Sequence, residues 1–204
     1  GFDVILTFAG SAAIARLVDQ GSPADIVMLA NDAWMDWLAE RGRIRTDTRS
    51  AFLGNRLVLI ASRDRSPAGP FPWAALPNRV GSERIAMALV DAVPAGIYGK
   101  SALSSLGVWD DIAPRVAQTD NVRTALALVA TGEVPFGIAY ATDAIAEPRV
   151  SGVQVFPQNS HPAIRYPVAV VSDSRTSNAE HFKDFLASEE AARVFEAEGF
   201  LCLD

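Results

Sequence analysis

Three stretches of the chain set small residues directly before a helical pattern. They are Phe8-Ala9-Gly10-Ser11-Ala12-Ala13-Ile14, Val93-Pro94-Ala95-Gly96-Ile97-Tyr98 and Asp120-Asn121-Val122-Arg123-Thr124-Ala125. A helix start leaves its first N–H groups without intrahelical acceptors and carries roughly half a unit of positive charge. Such ends hold anions without any cationic side chain. Several of them converging on one point would bind a small oxyanion through amide and hydroxyl donors. Ser11 offers a hydroxyl and an N–H, although a serine there is equally a plain helix cap. Ala95 and Val122 offer only their amides, and taken alone each reads as a spacer. Tyr140 ends an apolar run and offers a phenol, with an ordinary core tyrosine as the alternative.

Other side chains are less promising. Asp120 and Asn121 read as caps for the following helix. Arg123 reads as a surface or salt-bridge arginine, since arginine is mostly exposed. Pro94 presets φ before its helix, and Gly96 permits close backbone approach. The four tryptophans read as packing. His161 and His181 stand far apart with no cysteine or carboxylate at zinc spacing, so no metal-cation site is assigned. A serine hydrolase built on Ser11 would need an elbow motif of the Gly-x-Ser-x-Gly type, which the chain lacks, so no catalytic residues are assigned.

The 204 residues are half hydrophobic and 21% charged, a globular composition sufficient for one or two domains. A net charge of -6 with no basic stripe argues against nucleic acid as a partner. It does not argue against an anion ligand, because the field in a pocket is set by nearby dipoles. No apolar run reaches the roughly 20 residues that span a bilayer, and no signal peptide is read. The single cysteine, Cys202, reads as a tail residue.

Strand and helix patterns alternate along the chain. Strands are read at Val4–Phe8 (approached from Gly1), Asp25–Ala30, Leu57–Ala61, Arg84–Leu89, Arg115–Gln118, Phe136–Tyr140, Val153–Phe156 and Tyr166–Val171. Helices are read at Ser11–Gln20, from a cap at Asp32 through Glu40, and at Ala95–Leu106, Asn121–Ala130, Asn178–Ala187 and Glu189–Glu198. Ser66–Pro72, with three prolines, reads as an irregular loop. The alternation implies an α/β fold with parallel sheets, in which ligands sit beyond the carboxyl ends of strands. All three anion-ready openings fall at such strand-to-helix junctions.

Seven segments in order carry a family resemblance: Gly21–Ile26, Asn31–Asp36, Leu53–Val58, Val93–Tyr98, Asn121–Val129, Gly137–Ala144 and Tyr166–Ala169. Together they resemble the periplasmic molybdate-binding proteins of ABC transporters over essentially the whole chain. The resemblance implies a two-lobed periplasmic-binding-protein fold of type II. Each lobe would be a mostly parallel sheet flanked by helices, with two crossing strands near Gly54-Asn55 and Arg165-Tyr166. The first lobe would be 1–54 plus 166–204 and the second 55–165.

The resemblance also implies molybdate or tungstate as ligand, held by Ser11, Ala95, Val122 and Tyr140 without cationic side chains. It implies no cofactor, a membrane permease as partner, a monomer and a periplasmic location. The family begins with a further strand, a serine-bearing loop and a helix before the segment matching Val4–Phe8. These are absent from the sequence, which is then either a fragment or processed form or a protein that does without part of its first lobe, and exposed apolar surface and a weakened site are expected. The Gly-Asp-Pro turn of many relatives is also replaced here by Ala88-Leu89-Val90-Asp91-Ala92. An oxyanion-sensing effector domain of a regulator is the alternative role. The coding sequence upstream of Gly1 would discriminate the two.

Overall fold

The computed structural model describes residues 3–203. Its chain divides into two compact units, one of Gly1–Gly54 with Ile164–Asp204 and one of Asn55–Ala163. The strand approach read at Gly1-Phe2 lies outside the described residues, as does the final residue of the first lobe, Asp204.

In chain order the elements of the first unit begin with helix α1 (Ser11–Asp19), strand β1 (Ile26–Met28), helix α2 (Asp32–Glu40) and strand β2 (Ser50–Gly54). The second unit holds β3 (Leu57–Ser62), α3 (Leu76–Val80), β4 (Ile85–Ala88), α4 (Pro94–Ser105), α5 (Trp109–Ile112) and β5 (Val116–Thr119). It continues with α6 (Val122–Ala130), β6 (Phe136–Tyr140), α7 (Ala141–Ala146) and β7 (Val150–Val155). The chain returns to the first unit through β8 (Arg165–Val170), α8 (Asn178–Leu186), α9 (Glu189–Ala197) and β9 (Leu201–Cys202).

The sheet of the first unit has the order β1-β8-β2-β9, and each pairing in it is antiparallel. The parallel sheet expected from the alternation is therefore corrected. β1, α2 and β2 do form a crossover, and β1 and β2 run the same way, but the returning strand β8 inserts between them. Val27, Leu29 and Ala169 pack with Ala15, Val18, Met35 and Leu38 from α1 and α2 to form this unit's core.

The sheet of the second unit is mixed, in the order β5-β4-β6-β3-β7. β5, β4 and β6 are parallel, and β3 runs antiparallel to both of its neighbours. Successive side chains of a strand point to opposite faces. Ala86 accordingly joins the cluster that contains Ala125 and Val129 of α6, whereas Met87 meets Gly99 of α4. β6 repeats the pattern: Gly137 lies against Val129 and Ile138 against Gly99. The two helices that open beside the candidate donors thus cover opposite faces of one sheet.

Two further expectations are corrected. Val4–Phe8 forms no strand; it is irregular chain with Ile5 93% and Phe8 71% exposed. Its β-prone residues have no ladder to join, and an isolated strand is not stable in water. Asp32 does not cap α2. Asn31 does, with φ -159° and ψ 160°, and its side chain accepts the Trp34 N–H at 3.2 Å; Asp32 is the first helical residue. Ser50–Gly54, a strand ending where the resemblance implies a crossing strand near Gly54-Asn55, is not marked by its own pattern, because Ser-Ala-Phe-Leu-Gly shows neither clean alternation nor a long apolar run.

Candidate functional site: donor clusters at helix openings

In the first unit Ser11 is the first residue of α1, as its pattern suggests, and is only 8% exposed. Gly10, in extended conformation, precedes it, and the Gly10 carbonyl accepts from the Ala13 and Ile14 N–H groups. The Ser11 Oγ accepts the Ala30 N–H at 2.9 Å. That bond ties the opening of α1 to the segment leading from β1 into α2. With its oxygen already accepting, the hydroxyl is set to donate its hydrogen elsewhere. Sequence reasoning missed this second role, since its partner lies 19 positions away and is a bare amide.

In the second unit three candidate donors follow the carboxyl ends of parallel strands. Because β5, β4 and β6 are parallel, their carboxyl ends lie on the same side. β4 leads to the opening of α4, β5 to the opening of α6, and β6 ends on Tyr140. The ends of β4 and β5 are stitched together: Leu89 N–H donates to the Thr119 carbonyl at 2.8 Å, and Val90 N–H to Gln118 Oε1 at 2.9 Å.

Ala95 is the second residue of α4 and is 2% exposed. Pro94 occupies the first turn, where a missing N–H costs nothing. Gly96 is required by close packing. A Cβ there would collide with the carbonyl oxygens of Ala88 and Leu89, so only glycine lets α4 settle onto the end of β4.

Val122 opens α6 behind the Asn121 cap, whose side chain accepts the Thr124 N–H at 2.9 Å. Asp120 is occupied with Asn121 Nδ2 at 2.9 Å and the Thr124 hydroxyl at 3.1 Å. The capping read for Asp120-Asn121 thus resolves into Asn121 as cap and Asp120 as its brace. Arg123 is exposed and lies near enough to Asp143 to act on its charge.

Tyr140 is 5% exposed at the end of β6, opposite Leu57 of β3. Its N–H donates to the Asp143 carboxylate at 3.0 Å. Burial pushes the Asp143 carboxyl above its ordinary value, against the opposing pull of the Tyr140 N–H and Arg123.

The electrostatics of these openings are distinctive. Carboxylates favour the first turn of a helix because they complement its dipole. α2, α8 and α9 follow that rule, with Asp32, Glu180, and Glu189 with Glu190. α1, α4 and α6 carry no acidic residue in the first turn. The first turns of these three helices therefore offer their dipoles no carboxylate partner of their own. Among the described residues no group of three or more histidine, cysteine or carboxylate side chains gathers as a cation site. Nor is any helix there long and apolar enough to cross a membrane.

Residues 1–201 match the model of the bacterial extracellular solute-binding protein family. The chain is 40% identical to the molybdate-binding protein ModA of Escherichia coli (strain K12) over 205 residues, covering 98% of this chain and 79% of that protein. It is 35% identical to the ModA of Haemophilus influenzae, over 97% of this chain and 78% of that one. The solved periplasmic molybdate-binding protein of Azotobacter vinelandii shares the fold, with a TM-score of 0.89 at 20% identity over 100% of this chain and 89% of that one. Matched by the family's model over residues 1–201 and 40% identical to a binding protein, the chain is a binding protein rather than an enzyme: it belongs to the bacterial extracellular solute-binding protein family.

Proposed function

We propose that the protein captures molybdate or tungstate in the periplasm and delivers it, as a monomer, to the membrane permease of an ABC transporter. The two compact units are the two lobes of this binding protein. Ser11 donates through its hydroxyl and N–H, Ala95 and Val122 through their N–H groups, and Tyr140 through its phenol. The observation that carries this reading is the common carboxyl end of β5, β4 and β6, which leads to two helices with no carboxylate in their first turns and to a buried tyrosine. The relatives named for molybdate support it.

A tetrahedral dianion without a proton offers only acceptors, and a set of donors suits it. Phosphate keeps a proton at neutral pH. That proton would face a donor, and a buried polar group left unpaired costs about 1–3 kcal/mol. Sulfate is unprotonated but has shorter bonds, so the donors would sit too far from its oxygens. Uncharged donors also avoid the desolvation cost of burying lysine or arginine.

Titration calorimetry, or intrinsic tryptophan fluorescence, with the full-length protein tests the reading. Molybdate and tungstate should bind at micromolar concentration or below, with sulfate and phosphate far weaker. No response to either metal oxyanion would refute it.

A further inference from the structure

The β3–β6 ladder does not stop at its last backbone pair. Leu57 stands opposite Tyr140. One step further, Ala141 N–H donates to the Arg56 carbonyl at 2.9 Å. One step beyond that, Asn55 Nδ2 donates to the Thr142 hydroxyl at 3.0 Å. The third rung is made by side chains because the backbones have parted: α7 has begun at Ala141, and Asn55 directly follows Gly54, the last residue of the other unit before the crossing. Asn55 is buried, and its Oδ1 is pinned by the Arg56 N–H at 2.8 Å. From the other side, the Asp143 carboxylate accepts the Tyr140 N–H at 3.0 Å. Residues 140, 141 and 142 are thus each tied in turn.

We infer that Asn55 and Thr142, with Asp143, are positioning residues for the ligand: they hold the Tyr140 turn in register with the point where the chain enters the second unit. This rests on the reading of Tyr140 as an anion donor. A binding donor is useful only while it is held within about 0.5 Å of its productive place. The first connection between the units joins the fold two residues before the strand partner of Tyr140. The Asn55–Thr142 rung closes the gap between the connection and the last backbone pair, so it fixes the turn against the entering chain.

The test is a double-mutant cycle on molybdate affinity. Thr142→Val keeps shape and removes the hydroxyl; it should weaken binding about five- to tenfold, the scale of one ordinary hydrogen bond. Thr142→Ser should restore it. In a Tyr140→Phe background the same Thr142→Val change should cost less than about twofold, because the group being positioned is gone. A role in stability alone would lower the melting temperature and leave affinity unchanged, or cost the same in both backgrounds; either result overturns the inference. Should Thr142→Val not fold, Asp143→Ala measured against Asp143→Asn repeats the cycle from the other side of the turn. The asparagine keeps an acceptor for the Tyr140 N–H and should bind better than the alanine, and equal affinities overturn the inference. Wild-type protein that binds neither molybdate nor tungstate overturns the function and this inference together. Wild-type binding with an indifferent Tyr140→Phe overturns the role of Tyr140 and hence this inference, while leaving the function standing.

Discussion

Tyr140 and Asp143 sit three residues apart and make opposite demands on their surroundings. The phenol is proposed to give a hydrogen to a buried anion, so Tyr140→Phe should cost about 1–2 kcal/mol of affinity, read by calorimetry. The Asp143 carboxyl is partly buried, and although the Tyr140 N–H and Arg123 pull the other way, desolvation holds its proton more tightly in the folded chain than in the unfolded one. The sign follows from linkage. Its contribution is fully present below the ordinary carboxylate value of 3.8 and is lost as pH rises through the raised native value. Asp143→Asn keeps an acceptor for the Tyr140 N–H and does not titrate. Urea denaturation should therefore show the variant gaining on the parent as pH climbs from about 4 toward 7. A constant difference across that range would show that burial does not govern this carboxyl. At this scale the sequence was informative wherever one residue does one local job. Asn121 as cap and Ser11 as helix start follow from residue type and position. The bond from Ala30 to Ser11 does not, because an amide has no identity in a sequence and the two residues meet only through folding.

Elements were legible in proportion to the regularity of their pattern. Phe136–Tyr140 is an unbroken apolar run and is found as a strand over those same residues. The helices at Ser11, Pro94 and Val122 begin within one residue of expectation; Pro94 restricts φ at the second start, Asn121 caps the third, and a glycine precedes the first. Strand direction was not legible. Alternation of strand and helix signals crossovers, but it says nothing of a strand such as β8 that comes back from another unit and slots between two parallel neighbours. The seating of α4 on β4 gives a prediction at this scale. Gly96→Ala must push the helix off the Ala88 and Leu89 carbonyls, costing about 1–3 kcal/mol of stability by overpacking. It should also weaken oxyanion binding, because the Ala95 amide moves with the helix. Gly107→Ala is the control. Its φ of +71° strains an alanine, but open space surrounds it, so stability should fall by about 1 kcal/mol with affinity unchanged. Equal effects of the two changes on affinity would show that the position of α4 is irrelevant to the ligand.

For the molecule as a whole, the family and the α/β class were legible because seven short segments keep their order and spacing from end to end. The segment ahead of α1 was misread, since β-propensity there describes residues that fit a pleated surface rather than a strand that exists. Val4, Ile5, Leu6 and Phe8 instead present apolar side chains to water. Exposed apolar groups clustered in one segment bind hydrophobic dyes. Ile5→Lys should lower the fluorescence of such a dye on the folded protein without changing its melting temperature. A dye signal that ignores this substitution would place the apolar surface elsewhere.

The convergence of β5, β4 and β6 on one edge has a consequence for how selectivity can drift. Two of the proposed donors are peptide N–H groups, which no substitution short of proline can delete. Tuning must act on what aims them: the proline and glycine of α4, the asparagine ahead of α6, the stitch between Leu89 and Thr119. A conventional alanine scan would pass over Ala95 without altering it and trim Val122 without touching its amide. Variation in ion preference among such proteins should then be sought in loop lengths and in glycine and proline positions, where the backbone itself is the reagent.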